Sequence, residues 1–260
     1  MNPEWFSTFF QGAFWEASRN SITPEMTEAE ADFLHAALSP SPGAALLDVP
    51  CGDGRLALAM AARGFAVTGV DRSELLMARG RKQADSAGLS IAWQSQDMRA
   101  MELPCAFQGA WCMGNSFAYF DRQGTQDFLS RVSKALMPGA RFVLDTHMAA
   151  ETVLLELSDR TWKQVGDLLV LVEQDYLVDA GRLDTTYTVV RGGRRQTRQV
   201  SHWIYTVAEI RHFLEDAGLH LLSLFSGLDQ EPFAPGNPRL ILVAEKAKRI
   251  QKSSSHTRPK

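Results

Sequence analysis

The chain has 260 residues, 45% of them apolar and 22% charged, enough for one large domain or two small ones around a buried core. Its net charge is −3, and six of its basic residues follow Glu245, so the body before them carries −9, which argues against a nucleic-acid-binding surface. No apolar run approaches the ~20 residues of a membrane span, and Met1–Phe10 holds Glu4 and no basic residue, unlike a secretory signal. Cys51, Cys105 and Cys112 are odd in number and lack metal-pair spacing, which predicts a reducing, cytoplasmic setting and no metal site.

Residues 1–40 read as helical and aromatic, with Trp5, Phe6, Phe9, Phe10, Phe14 and Trp15 close together. Thr27 and Glu30 read as a capping box opening a helix through Leu38, which Pro40 and Pro42 stop. Strands and helices then alternate. Strands are expected at 44–49, 65–71, 91–96, 110–113 and 141–146, and helices at 55–63, 73–87 (capped by Ser73) and about 123–136, with a turn at Pro138-Gly139. This rhythm, with near-continuous apolar strands, predicts a parallel sheet covered on both faces. Segments 168–178, 182–190 and 194–205 are β-branched and aromatic, and turn residues at Asp179-Ala180-Gly181 and Gly192-Gly193 separate them, which predicts a small antiparallel insert after the fifth strand. Thr206 caps a helix through Ala217, Gly218 follows it, and 219–224 and 240–244 complete the sheet as an antiparallel edge. The basic segment 246–260 is expected to be disordered.

The most informative stretch is Leu47-Asp48-Val49-Pro50-Cys51-Gly52-Asp53-Gly54-Arg55, followed by Val70-Asp71. Each apolar run ends in an acid, and a Gly-x-Gly turn joins the first run to a helix. Ligands of open parallel sheets bind outside the carboxyl ends of the strands. Glycine lets backbone approach a ligand closely, and an acid closing the second strand can accept both hydroxyls of a ribose. A dinucleotide site wants a third glycine, where Ala57 stands, and has no use for Asp48 beside a pyrophosphate. A sulfonium and an ammonium do.

Leu47–Gly54 resembles the first motif of class I S-adenosylmethionine-dependent methyltransferases, with Pro50 in place of the usual first glycine. Pro50 can neither donate an N–H nor take positive φ, so Gly52 and Gly54 are expected to make the close approach. The Gly114-Asn115-Ser116-Phe117-Ala118 run resembles the segment after strand four of glycine N-methyltransferases and related small-molecule enzymes. The resemblance covers 44–147 well and the rest in outline. It implies an α/β fold, Rossmann-like, with a seven-stranded, mostly parallel sheet plus the antiparallel insert. It also implies a helical lid at 1–40, a cofactor-binding domain at 41–160 with 206–245, and an insert at 161–205 covering the substrate site.

The implied cofactor is S-adenosylmethionine, with Asp48, Pro50, Gly52, Gly54, Arg55, Asp71, Arg72, Asp97, Met98, Met113, Gly114 and Asn115 around it. Trp15 is an aromatic cover and Arg19 a carboxylate grip, since Met26 stands where relatives place that arginine. Asp97 would accept from the adenine amino group. Asn115, Ser116 and Tyr119 would face the acceptor, and Tyr119, His147 and His202 are candidate bases. Phe117 and Phe120 read as core, Cys51 and Cys112 as small packed residues, and Arg191, Arg194, Arg195 and Arg198 as a solvated hairpin tip or an anion grip. The expected activity is methyl transfer to N or O of a small molecule by a monomer or homodimer. A NAD-type oxidoreductase and a non-catalytic S-adenosylmethionine-binding module are the alternatives.

Overall fold

The computed structural model describes residues 4–248, beginning with three helices, α1 (Phe6–Phe9), α2 (Ala13–Asn20) and α3 (Pro24–Leu38). α3 starts earlier than expected. Thr23 caps it, its hydroxyl accepting from the Met26 N–H at 3.2 Å, and Pro24 fills the first turn, where a missing N–H costs nothing. Thr27 therefore lies within the helix. The alternating region follows as β1 (Ala45–Asp48), α4 (Arg55–Ala62), β2 (Ala66–Asp71), α5 (Glu74–Ala87), β3 (Ile91–Ser95), β4 (Phe107–Cys112), α6 (Arg122–Ala135) and β5 (Leu136–Thr146). Ser73 caps α5 and Asp121 caps α6 through side-chain oxygens. The expected turn at Pro138-Gly139 is instead a bulge inside a longer β5: Leu136 pairs with Phe107 and Arg141 with Gly109, and Gly139 takes φ +80°.

A short helix, α7 (Ala150–Val153), leads into β6 (Arg160–Val165), β7 (Leu168–Leu177), β8 (Arg182–Arg191) and β9 (Arg194–Trp203), which form a separate four-stranded antiparallel meander. Three strands were expected there. β6 escapes a hydrophobicity reading because its first five residues are exposed and carry no apolar alternation. The chain then returns through α8 (Val207–Asp216), whose capping box joins Thr206 and Glu209, to β10 (Leu219–Phe225) and β11 (Leu240–Lys246).

The main sheet runs β10-β11-β5-β4-β1-β2-β3, parallel from β5 to β3 and antiparallel at β10 and β11. It is the Rossmann-like seven-stranded arrangement expected. Its strands bury alternate residues on two faces, as a period of two requires. Leu47, Phe142, Leu144 and Leu242 pack on one side with Phe128 and Leu129 of α6 and Phe213 of α8. Leu46, Trp111, Val143 and Ile241 pack on the other with Leu34 of α3 and Leu56 and Met60 of α4. Phe117 belongs to the first of these cores and is 2% exposed. The strand order reverses between β1 and β4, so a crevice opens where their carboxyl ends diverge.

The N-terminal helices bridge that crevice to the meander. Phe14 and Ala17 of α2 pack with Leu168, Val170 and Val189. The Trp5 indole donates to the Ser201 carbonyl at 2.9 Å. Arg198 donates to the carbonyls of Thr8 and Phe9 and lies 4.6 Å from the Phe14 ring centroid, and Arg191 pairs with Glu16 and Asp167. Half of the arginine cluster thus clamps α1 and α2; Arg194 and Arg195 stay exposed. At the other end, Lys246 is in β11 and its ammonium donates to the carbonyls of Ser133 and Leu136, so the ordered body extends past the expected tail boundary. The disorder expected of 249–260 concerns residues outside those described. Among the described residues, no helix is long and apolar enough to cross a membrane.

Candidate active site

Two cavities of about 290 and 230 Å³ meet beside the segment after β4; the first lies at the carboxyl ends of β1, β2 and β4, and both are lined by Phe10, Ser18, Gly114 and Tyr119. The first runs over the loop after β1. Asp71, closing β2, organises that loop. One of its carboxylate oxygens accepts from the Gly52 N–H at 2.9 Å, the other from the Ser73 N–H at 2.7 Å. Burial pushes its pKa up, and these two N–H groups oppose the shift. Gly52 (φ +57°) and Gly114 (φ +77°) open on space: a Cβ at either would meet no protein atom within 4 Å. Bare backbone therefore faces the first cavity from two loops.

Gly54 does different work. A Cβ there would stand 2.2 Å from the Trp93 ring, whose edge is also slotted against Gly80. The expectation that Gly54 approaches a ligand is corrected, for it does not line the cavity and instead makes room for Trp93. We expect Gly54→Ala, with both this overlap and φ +74°, to cost about 3 kcal/mol, seen as a fall of about 8 °C in Tm. An unchanged Tm would contradict the packing described.

Asp48 is corrected as well. It is 4% exposed and absent from the cavity wall. Side chains alternate along β1, so Asp48 turns to the same side as Leu46, beneath the start of α4. Burial pushes its pKa well up, while the nearby Arg55 guanidinium and the Ala57 N–H oppose that. Within the loop after β1, the acid that lines the cavity is Asp53, paired with Arg19 at 3.3 Å. Trp15 of α2 lines it too, with the Arg79 guanidinium 4.8 Å from its ring centroid.

Pro50, Arg55, Arg72, Asp97, Met98 and Met113 complete the wall. Asp97 is already engaged. Arg99 grips both of its oxygens, at 3.0 and 2.6 Å from the side chain, and Arg72 stands 3.5 Å away. Burial would raise its pKa, but these contacts outweigh it and hold the carboxyl below its usual range. Arg72 and Arg99 also pair with Glu4, tying the N-terminal segment over this end.

An ion-pair chain not visible in the sequence stands behind Gly114. The Gly114 N–H donates to Asp145 at 3.1 Å, and the other Asp145 oxygen accepts from Arg239 at 2.7 Å. Arg239 also donates to Glu30 of α3 at 2.8 Å, and Glu30 accepts from Arg55 at 2.5 Å. Asn115, next in the chain, sits at φ +70°, and its carbonyl oxygen accepts from the Thr146 hydroxyl and the His147 N–H at 3.0 and 2.9 Å. A side chain in this region of backbone space marks a constrained loop.

The second cavity lies between α1, α2 and the meander. Trp5, Phe9, Phe14, Tyr187 and Tyr119 supply rings, Val170, Val189 and Val200 aliphatic wall, and Asn115, Lys163 and His202 polar groups. His202 is 5% exposed, and its ring centroid lies 5.2 Å from that of Trp5 and 5.9 Å from that of Tyr119. Its Nδ1 has no hydrogen-bond partner, and burial pulls its pKa down to about 4. The unfolded chain binds this proton near pH 6.5, so stability falls with pH between 6.5 and about 4, by on the order of 3 kcal/mol. Chemical denaturation at pH 7 and 4.5 measures this: His202→Phe is expected to reduce the loss, and an identical loss in both proteins would refute the assignment. Burial also pushes the Tyr119 hydroxyl far above its usual range, so it stays protonated and cannot serve as a base at neutral pH. His147 is exposed, its Nδ1 2.8 Å from the Pro238 carbonyl, and it lines neither cavity; it too is withdrawn as a base.

Comparison with known proteins agrees with this geometry. A family model for a methyltransferase domain matches residues 46–139, which span the glycine loop, Asp71, Asp97 and Gly114. The chain carries a methyltransferase domain. A provisionally named methyltransferase of Geobacillus sp. (strain WCH70) is 24% identical over 213 residues, 77% of this chain and 84% of that protein. The O-methyltransferase resE of Aspergillus sclerotiorum is 30% identical over 141 residues, about half of each chain at 52%. A solved S-adenosylmethionine-dependent methyltransferase from Clostridium acetobutylicum ATCC 824 superposes with a TM-score of 0.77 at 17% identity, covering 88% of this chain and 94% of that one. The methyltransferase fold thus extends well beyond the matched domain. The finer resemblance to glycine N-methyltransferases rests on the Gly114–Ala118 segment alone.

Proposed function

We propose that this methyltransferase holds S-adenosylmethionine in the first cavity and a small-molecule acceptor in the second, and that the acceptor's N or O meets the methyl group where the cavities join. The observation that carries this is the shared wall, Phe10, Ser18, Gly114 and Tyr119. The first cavity fits the donor. Asp71 suits a ribose, bare backbone at Gly52 and Gly114 admits a close ligand, and Arg19 with Asp53 presents one cation and one anion to a zwitterionic amino-acid end. Asp97 and Met98 lie toward an adenine, and Trp15 covers. Asp53, Asp71 and Asp97 on one wall disfavour the pyrophosphate of a dinucleotide.

When bound, S-adenosylmethionine supplies an activated methyl group on a sulfonium. The chain's own residues then have two tasks. Holding the acceptor in line can supply roughly 7–11 kcal/mol, and here Asn115, Tyr119 and His202 border the junction. Excluding water strengthens the electrostatics of the site, and α1, α2 and the meander are placed to do it, as lid and cover. Of the expected bases, His202 alone is buried, unprotonated at neutral pH and at the second cavity. The three unpaired cysteines support a reducing, cytoplasmic setting.

Calorimetry with S-adenosylmethionine and with NAD tests the donor, and transfer of a labelled methyl group across a metabolite panel tests the activity. Binding of the first ligand and not the second is expected. NAD binding displaced by neither S-adenosylmethionine nor its product would overturn the reading.

A further inference from the structure

The second cavity has a chemistry of its own. Aromatic rings enclose it from α1, α2, β8 and the segment after β4. Its 230 Å³ falls below the ~300–1,000 Å³ of sites for drug-sized ligands, which suits one or two fused rings. Among the described residues, no carboxylate lines it, and its one charged side chain, Lys163, is exposed. A protonated amine entering it would be stripped of water with no counter-ion, which is costly. A sugar would bring many hydroxyls to a wall with few partners, and unpaired buried hydroxyls reject a ligand strongly. What the wall does hold is a buried neutral imidazole whose Nδ1 has no partner in the protein. The ring lines the cavity, and a neutral imidazole nitrogen that faces it takes a hydrogen bond that a single O–H can supply.

We infer that the acceptor is a flat, uncharged aromatic hydroxyl compound, stacked among Trp5, Phe9 and Tyr187 with its hydroxyl on His202. This rests on reading the second cavity as the acceptor chamber. Methylation of that oxygen forms a carbon–oxygen bond and breaks the methyl–sulfur bond, whose electron pair stays on sulfur. The hydroxyl proton leaves to His202 and from there to solvent. A weakly basic imidazole suffices, because an oxygen acquiring a methyl group becomes far more acidic than an imidazolium. The amide of Asn115 is aimed by its bonds to Thr146 and His147 and leaves its NH₂ group for the acceptor oxygen.

Ligand-observed NMR with 2-naphthol, naphthalene and the protonated amine 2-(aminomethyl)naphthalene tests this without any donor present. The wild-type protein is expected to bind 2-naphthol about five- to tenfold more tightly than naphthalene, and the amine most weakly of the three. His202→Phe should bring 2-naphthol and naphthalene within about twofold of each other. Val189→Phe, which fills the chamber, should abolish binding of all three. Affinity for S-adenosylhomocysteine, unchanged in both variants, shows that each has folded. Equal affinity of the wild-type protein for 2-naphthol and naphthalene, tighter binding of the amine, or a preference for 2-naphthol that survives His202→Phe would each overturn the inference. Failure of the donor reading shows elsewhere, as absent binding of S-adenosylmethionine and S-adenosylhomocysteine to the wild-type protein, and leaves the naphthol result to be read on its own.

Discussion

Asp71→Ala is expected to weaken S-adenosylmethionine binding by about 100-fold or more, measured as Kd by calorimetry. The carboxylate has two roles that the substitution removes together. It fixes the loop by accepting from the N–H groups of Gly52 and Ser73, and it lines the cavity where a ribose would lie. Hydrogen bonds to a charged group contribute about 1.5–3 kcal/mol each, so losing the ribose contacts alone accounts for a factor of about 100. Asp71→Asn keeps one oxygen acceptor in place and should lose about tenfold. The order wild type, Asn, Ala is the expected result; equal affinity across the three would mean that the loop and the donor do not depend on this acid.

The second large effect lies away from the cavity wall. Arg239 neutralises two buried carboxylates, Asp145 at 1% exposure and Glu30 at 8%, and so holds β5, α3 and, through the Gly114 N–H, the junction of the two cavities. Removing one member of a buried pair leaves an uncompensated charge and costs about 3–5 kcal/mol. Arg239→Ala is therefore expected to lower Tm by about 10 °C. Arg239→Lys should recover only part of this, since an ammonium cannot match the fork that reaches both carboxylates. The double variant Arg239→Ala with Asp145→Asn should lose less than the sum of the single changes. Strict additivity would show that Arg239 and Asp145 are not coupled.

Much of the sheet was legible because parallel strands buried on both faces read as apolar runs. Strand-end acids and glycines then mark the crevice. Asp71, Asp97, Gly52 and Gly114 stand at its wall for that reason. Asp48 was misread by treating a strand-end acid as free to face the ligand, although Leu46 and Asp48 share one side of β1 and Leu46 is core. The parity of the strand was available in the sequence. The Thr23-Pro24 helix start was too, and the Thr27–Glu30 pattern displaced it. The Glu30–Arg239–Asp145 chain was not, because its members are 94 to 209 positions apart and only the folded sheet brings them together. β6 was missed because an exposed edge strand needs no apolar alternation, and with it went Lys163 on the second cavity.

On the proposed reading, the two cavities are one reaction path meeting at Gly114 and Tyr119. A crystal structure with S-adenosylhomocysteine tests it most directly. The expected result places the ribose on Asp71, the amino-acid end between Arg19 and Asp53, and the sulfur at the Gly114–Tyr119 junction facing the chamber of His202. A sulfur pointing away from that chamber, or an adenosyl group bound outside the first cavity, would contradict it.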